Sequence, residues 1–143
     1  MALNLVKLCV GVAAVEELQA FVDHRIEQRR LAGEKQLSWH ITRMVPKRRE
    51  ELLDGGSLYW VIKGKVQVRQ IIDEIEIFSD NEGIRRCKIW LEPRLILTHW
   101  QPRRAFQGWR YLVQKDAPGD LGTSDGQSIP PHLQRELAEL GLL

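Results

Sequence analysis

Basic and aromatic residues share short stretches of this chain, and that pairing is the chemistry it advertises most plainly. Between Gln101 and Leu112, Arg103, Arg104 and Arg110 interleave with Phe106, Trp109 and Tyr111. Guanidinium groups neutralise phosphates and flat rings stack on bases, so this mixture suits a nucleic-acid backbone. Lys47, Arg48 and Arg49 form a second cluster where Pro46 opens a short predicted helix, PKRREELLDGG. Helix-start N–H groups and cations together would hold a phosphate there. Glu50, Glu51 and Asp54 could equally neutralise that cluster. Lys63 and Lys65 flank Gly64, and Arg43 and Arg69 extend the basic path on either side. The plain alternative for the whole set is packed aromatics with solvated or ion-paired charge.

The elements that must position these groups follow from periodicity. Leu58, Trp60 and Ile62 alternate with Tyr59, Val61 and Lys63, and Val66 and Val68 alternate with Gln67 and Arg69. Period-two alternation across Lys63-Gly64-Lys65 predicts a β-hairpin within Gly55–Phe78. Residues 2–10 and 37–45 read as strands; residues 84–91 and 95–100 read as a second hairpin. That second hairpin would place Arg86, Lys88 and Trp90 on one outer face. Val15, Leu18, Val22 and Ile26 recur at helical spacing and predict a helix over 13–32, with Gly33 past its end.

Composition bounds the class. The 143 residues carry 21 basic and 19 acidic groups, with 43% hydrophobic content, as in a globular domain. Residues 37–115 hold fifteen basic and nine acidic side chains, whereas residues 116–143 hold one and five. A basic middle beside an acidic end points to an anionic partner at the middle. No apolar run reaches the roughly 20 residues of a membrane span, so no membrane association and a cytoplasmic location are expected. Residues 1–115 read as one α+β domain. Residues 116–143 read as an acidic loop with a short helix over 131–141 attached to it.

Enzyme motifs are sparse. His40-Ile41-Thr42 matches one half of a two-histidine phosphoesterase signature, but His99 is followed by Trp100 and Gln101 rather than a second half. An alternative function is therefore an enzyme on a phosphorylated or nucleotide substrate, with His40 or His99 as general base and Arg43 as clamp. It requires the three in one pocket. Gly55-Gly56 precedes a strand and reads as helix termination rather than a phosphate loop. Cys9 and Cys87 lack ligand spacing, so no metal and no cofactor are expected. Asp73, Glu74 and Glu76 could hold an ion or could line a solvated strand face. A third reading is a protein–protein adaptor anchored by exposed Trp60, Trp90 and Trp109.

The long stretches TRMVPKRREELLDGGSLYWVIKGKVQVRQII, EGIRRCKIWL and PRRAFQGWRYL with DAPGDL resemble an alphaproteobacterial domain-of-unknown-function family, number fourteen-eighty-nine. The resemblance covers nearly the whole chain and implies no activity. A basic loop followed by YWVIKGKVQVRQIIDEI is also similar, at the level of fold, to the small barrels of the PUA, ASCH and EVE group. That likeness implies a bent antiparallel sheet or small β-barrel with one long N-terminal helix and short flanking helices. It also implies RNA or another polyanion as partner. Arg43, Lys47, Arg48, Arg49, Lys63, Lys65, Arg69, Arg103, Arg104 and Arg110 would then follow the backbone, with Trp109 or Tyr111 stacking on a base.

Overall fold

The central hairpin is present, and its second arm is the longest strand. In the computed structural model, which describes residues 3–121, β3 (Ser57–Ile62) turns into β4 (Lys65–Ser79) through Lys63 and Gly64. Both turn residues have positive φ, 53° and 76°, as a two-residue type I′ turn requires. Lysine in that region costs about 1–2 kcal/mol, whereas asparagine tolerates it. Lys63→Asn is expected to raise unfolding stability by about 1 kcal/mol, read from the midpoint of urea denaturation.

β3 is buried along its whole length, because a core lies on each face. Leu58, Trp60 and Ile62 join the larger one, with Val15, Leu18, Val22, Leu52 and Ile89. Tyr59 and Val61 join the smaller, with Val6, Val66 and Leu112. The alternation expected in the second arm fails at Gln67. Trp60 pairs with Val68 but Val61 pairs with Val66, so Gln67 is an extra residue. This bulge puts Val66 and Val68 in different cores. The buried Gln67 amide donates to the Ile62 carbonyl at 2.8 Å, which satisfies it. Asp73 is a second extra residue, between Ile72 paired to Leu91 and Glu74 paired to Trp90.

The sheet is mixed and open rather than wholly antiparallel or barrel-like. Its order is β2 (Ser38–Thr42), β5 (Arg85–Leu91), β4, β3, β1 (Leu3–Leu8), β7 (Trp109–Val113), with β6 (Ile96–Pro102) also on β4. β1 and β3 are parallel. A parallel pair needs a crossover, supplied by α1 (Val15–Leu31), β2 and α2 (Arg49–Leu53). β5 and β6 form no hairpin with each other: β4 and β2 already occupy the two edges of β5. β6 pairs instead with Lys65–Arg69 of β4. At the changeover Gln70, 1% exposed, accepts from the Trp60 indole and donates to the Glu92 carbonyl, both at 2.9 Å. That side chain ties the hairpin to the β5–β6 link.

α1 buries Val15, Leu18 and Val22, with Glu16 and Glu17 in its first turn and Arg29 and Arg30 in its last, as the macrodipole favours. α2 is a single turn starting at Arg49, shorter than the helix expected from Pro46. Residues 117–121 lie against the body: Leu121 N–H donates to the Leu97 carbonyl, and Asp120 pairs with Arg69. The helix expected over 131–141 lies outside the described residues.

Candidate functional site

The basic residues divide by whether the fold gives them an acid. Arg48 meets Glu51 through two nitrogens, at 3.0 and 2.5 Å. Arg49 reaches Glu74 at 3.0 Å. Arg69 grips both Asp120 oxygens at 2.9 Å and donates to the Ser57 hydroxyl. These contacts depress the Glu51 and Glu74 pKa values, through the Arg48 side-chain hydrogen bond for Glu51 and through the Ile75 N–H and then Arg49 for Glu74. Because α2 is one turn long, it offers no helix N-terminus to a phosphate beside Lys47 and Arg48. The Tyr111 hydroxyl instead accepts the Lys47 and Arg48 backbone N–H groups, at 3.0 and 3.1 Å.

Trp109 is a core residue, 5% exposed, and its indole donates to the Met44 carbonyl at 2.6 Å. With Tyr111, set edge-on to it at 4.8 Å, it fastens the loop carrying Arg43 and Lys47 to β7. Trp60 is buried as well, so neither Trp60 nor Trp109 is the exposed anchor that an adaptor would need.

A further group of cations lies in the β3–β4 turn and in the 103–110 segment that meets it. Lys65 pairs with Pro102, and Arg103 N–H donates to the Gly64 carbonyl at 2.8 Å. These contacts bring the start of the 103–110 segment to the hairpin tip. The Arg103 and Arg110 guanidiniums lie 5.9 and 5.3 Å from the Phe106 ring, and the Lys65 ammonium 4.7 Å from Trp100. Phe106 packs at the edge of the smaller core, so its ring is held from beneath. Among the described residues, Lys63, Lys65, Arg103, Arg104 and Arg110 form no ion pair with a carboxylate. Arg43 and Lys47 likewise have none, at the neighbouring loop.

His40 and His99 do not meet. His40 lines a cleft of about 580 Å³ between α1, the end of β1 and the sheet, which includes neither His99 nor Arg43. His99 is exposed on β6. The general-base pair with an arginine clamp is therefore dispersed. Burial, with Lys7 and Arg25 nearby, lowers the His40 pKa to about 4, so the imidazole is neutral at pH 7.

Trp39, which lines this cleft, and Trp90 stand edge-on at 5.8 Å, as cross-strand neighbours. The Lys88 ammonium sits 4.3 Å from Trp90 and 5.0 Å from Trp39, in keeping with the outer face expected for Lys88 and Trp90. Arg25 lies 4.2 Å from both Phe21 and Trp39, and Arg29 lies 4.7 Å from Trp90. Sequence reasoning missed Phe21, Arg25 and Lys7. The four-residue spacing of Phe21, Arg25 and Arg29 was the available signal, since it sets one stripe on a helix.

Cys9 and Cys87 are free thiols, both pushed up to about 11 by burial and so unreactive as nucleophiles. Asp73, Glu74 and Glu76 each have a separate partner, Lys35, Arg49 and the Trp90 indole respectively. Among the described residues no three metal-ligating side chains converge, and no helix is long and apolar enough to cross a membrane.

Residues 5–143 match the family described as a protein of unknown function (DUF1489), so the chain belongs to that family. No curated protein and no solved structure matches it.

Proposed function

We propose that the protein binds single-stranded RNA, or another polyanion with the same backbone chemistry, at the β3–β4 turn. The observation that carries this reading is that Arg103 N–H ties the 103–110 segment to the turn, so that Lys63, Lys65, Arg103, Arg104 and Arg110 belong to adjoining segments and none has a carboxylate partner among the described residues. Arg48, Arg49, Arg69 and Arg86 have one, whereas Arg25, Arg43, Arg85 and Arg94 have none among the described residues, so it is the adjacency of the five that counts. Lys63 adds support: a left-handed turn position favours asparagine or glycine, and a residue that breaks a local rule often answers to function. Phe106, between Arg103 and Arg110, takes the base-stacking role that the buried Trp109 does not offer. Strands and a turn, with no helix at the tip among the described residues to enter a major groove, favour a single strand over a duplex. The likeness to PUA, ASCH and EVE domains enters only through this strand–turn–strand unit.

The test is fluorescence-polarisation binding of short labelled RNA and DNA across a salt series. Three phosphates neutralised on a single strand give a log–log salt slope of about −2. Arg103→Ala/Arg104→Ala is expected to weaken binding about tenfold, the equivalent of about 1.4 kcal/mol. Arg48→Ala, whose charge is already paired, is expected to change affinity little. Salt-insensitive binding, or equal losses in both variants, would remove the proposal.

A further inference from the structure

The cleft beside α1 has the size and lining of a small-molecule site, and nothing in the polyanion reading uses it. At about 580 Å³ it falls within the range that holds small ligands. Leu8, Val12, Leu18, Trp60 and Leu91 supply apolar walls. Lys7, Arg25 and His40 supply polar atoms, with Glu17 as the acidic residue of the lining. The charge balance there is positive.

Each of the three polar groups has unused capacity. His40 Nε2 is buried without a hydrogen-bond partner, while its ring stands edge-on to Trp60 at 5.5 Å. Lys7 Nζ makes only a 3.5 Å contact to the neighbouring Leu8 carbonyl, and burial lowers its pKa. Arg25 is held between the Phe21 and Trp39 rings and donates one Nη1 hydrogen bond to the Trp39 carbonyl. Its other N–H groups make no hydrogen bond among the described residues. Two partly desolvated cations and an unpartnered imidazole nitrogen beside apolar walls suit one acceptor-rich anionic head on an apolar body.

We infer that this cleft binds a small organic monoanion, a carboxylate with an apolar body, with its head at Lys7, Arg25 and His40. The site is separate from the hairpin tip and independent of the polyanion reading.

The full chain would be titrated with indole-3-acetate and octanoate, and with the neutral amide of each, following heat by calorimetry. The carboxylates are expected to bind saturably and at least tenfold more tightly than their amides. The indole and octyl arms separate an aromatic body from an aliphatic one. Lys7→Met is expected to weaken carboxylate binding about tenfold. Glu17→Gln, which removes the opposing charge, is expected to strengthen it several-fold, a gain that loss of folding would not produce. No saturable binding, amides binding as well as carboxylates, or Glu17→Gln without a gain would overturn the inference.

Discussion

Gly56→Ala is expected to destabilise the protein by about 3 kcal/mol or more, at or beyond the upper end of ordinary overpacking. A Cβ at Gly56 would stand 2.2 Å from the Leu3 carbonyl oxygen and 2.4 Å from that of Leu52. Both are backbone atoms, so no side chain can swing away. Gly56 itself is fixed: its N–H donates to Leu52 and its carbonyl accepts from Ile72, each at 3.0 Å. The end of α2, the start of β1 and the middle of β4 therefore meet on this residue. Gly55 is the control. Its φ is +86° but a Cβ there meets nothing, so Gly55→Ala carries only the left-handed penalty of about 1–2 kcal/mol. Urea unfolding of the two variants separates steric closure from backbone conformation. Equal losses would mean that β1 and α2 can move apart, contrary to the packing described here.

That pair of glycines also illustrates what the chain discloses before it is folded. Gly55 is legible as the residue ending a helix, because positive φ there is a local requirement. Gly56 is not, because its constraint comes from Leu3, fifty-three residues away. The hairpin and its turn are local and therefore legible, as is the buried face of α1. The bulge at Gln67 is not, since an extra residue leaves no mark on alternation until the partner strand is known. The partnering of β5 with β2 and β4 is likewise a long-range choice that two neighbouring strands could not announce.

The candidate surface shows the same division. Arg48 with Glu51 lies at helical spacing and its pairing was foreseeable. Arg49 with Glu74 and Arg69 with Asp120 join distant segments, so a run of charge alone could not separate paired from unpaired cations. Trp109 read as a stacking platform because aromatics beside arginines look alike whether they face a base or a core. The hydrogen bond to Met44 is what distinguishes them.

Between pH 6.5 and about 4, stability is expected to fall by on the order of 3 kcal/mol through His40 alone. The folded imidazole has its pKa lowered to about 4, from an ordinary 6.5, by burial first and then by the Lys7 and Arg25 charges. In that interval the unfolded chain binds the proton and the folded one does not. Acid therefore favours unfolding, and the contribution is complete once the pH is below the folded value. The charged groups around the ring reinforce this sign: Lys7 of β1 and Arg25 of α1 both bring positive charge. Glu51, Glu74 and Asp80, whose pKa values are depressed by hydrogen bonds to Arg48, Ile75 and Arg86 respectively, lose their contribution only at lower pH. Their window opens at the ordinary carboxylate pKa of about 4 to 4.5 and runs downward from there, so it overlaps only the acid end of the His40 interval. His40→Gln is expected to flatten the stability profile from pH 4.5 to 6.5 whatever its effect at pH 7, and the slope of urea stability against pH reads this directly. A slope unchanged by the substitution would place the proton uptake elsewhere and would mean that the His40 imidazole is free to charge in the folded state.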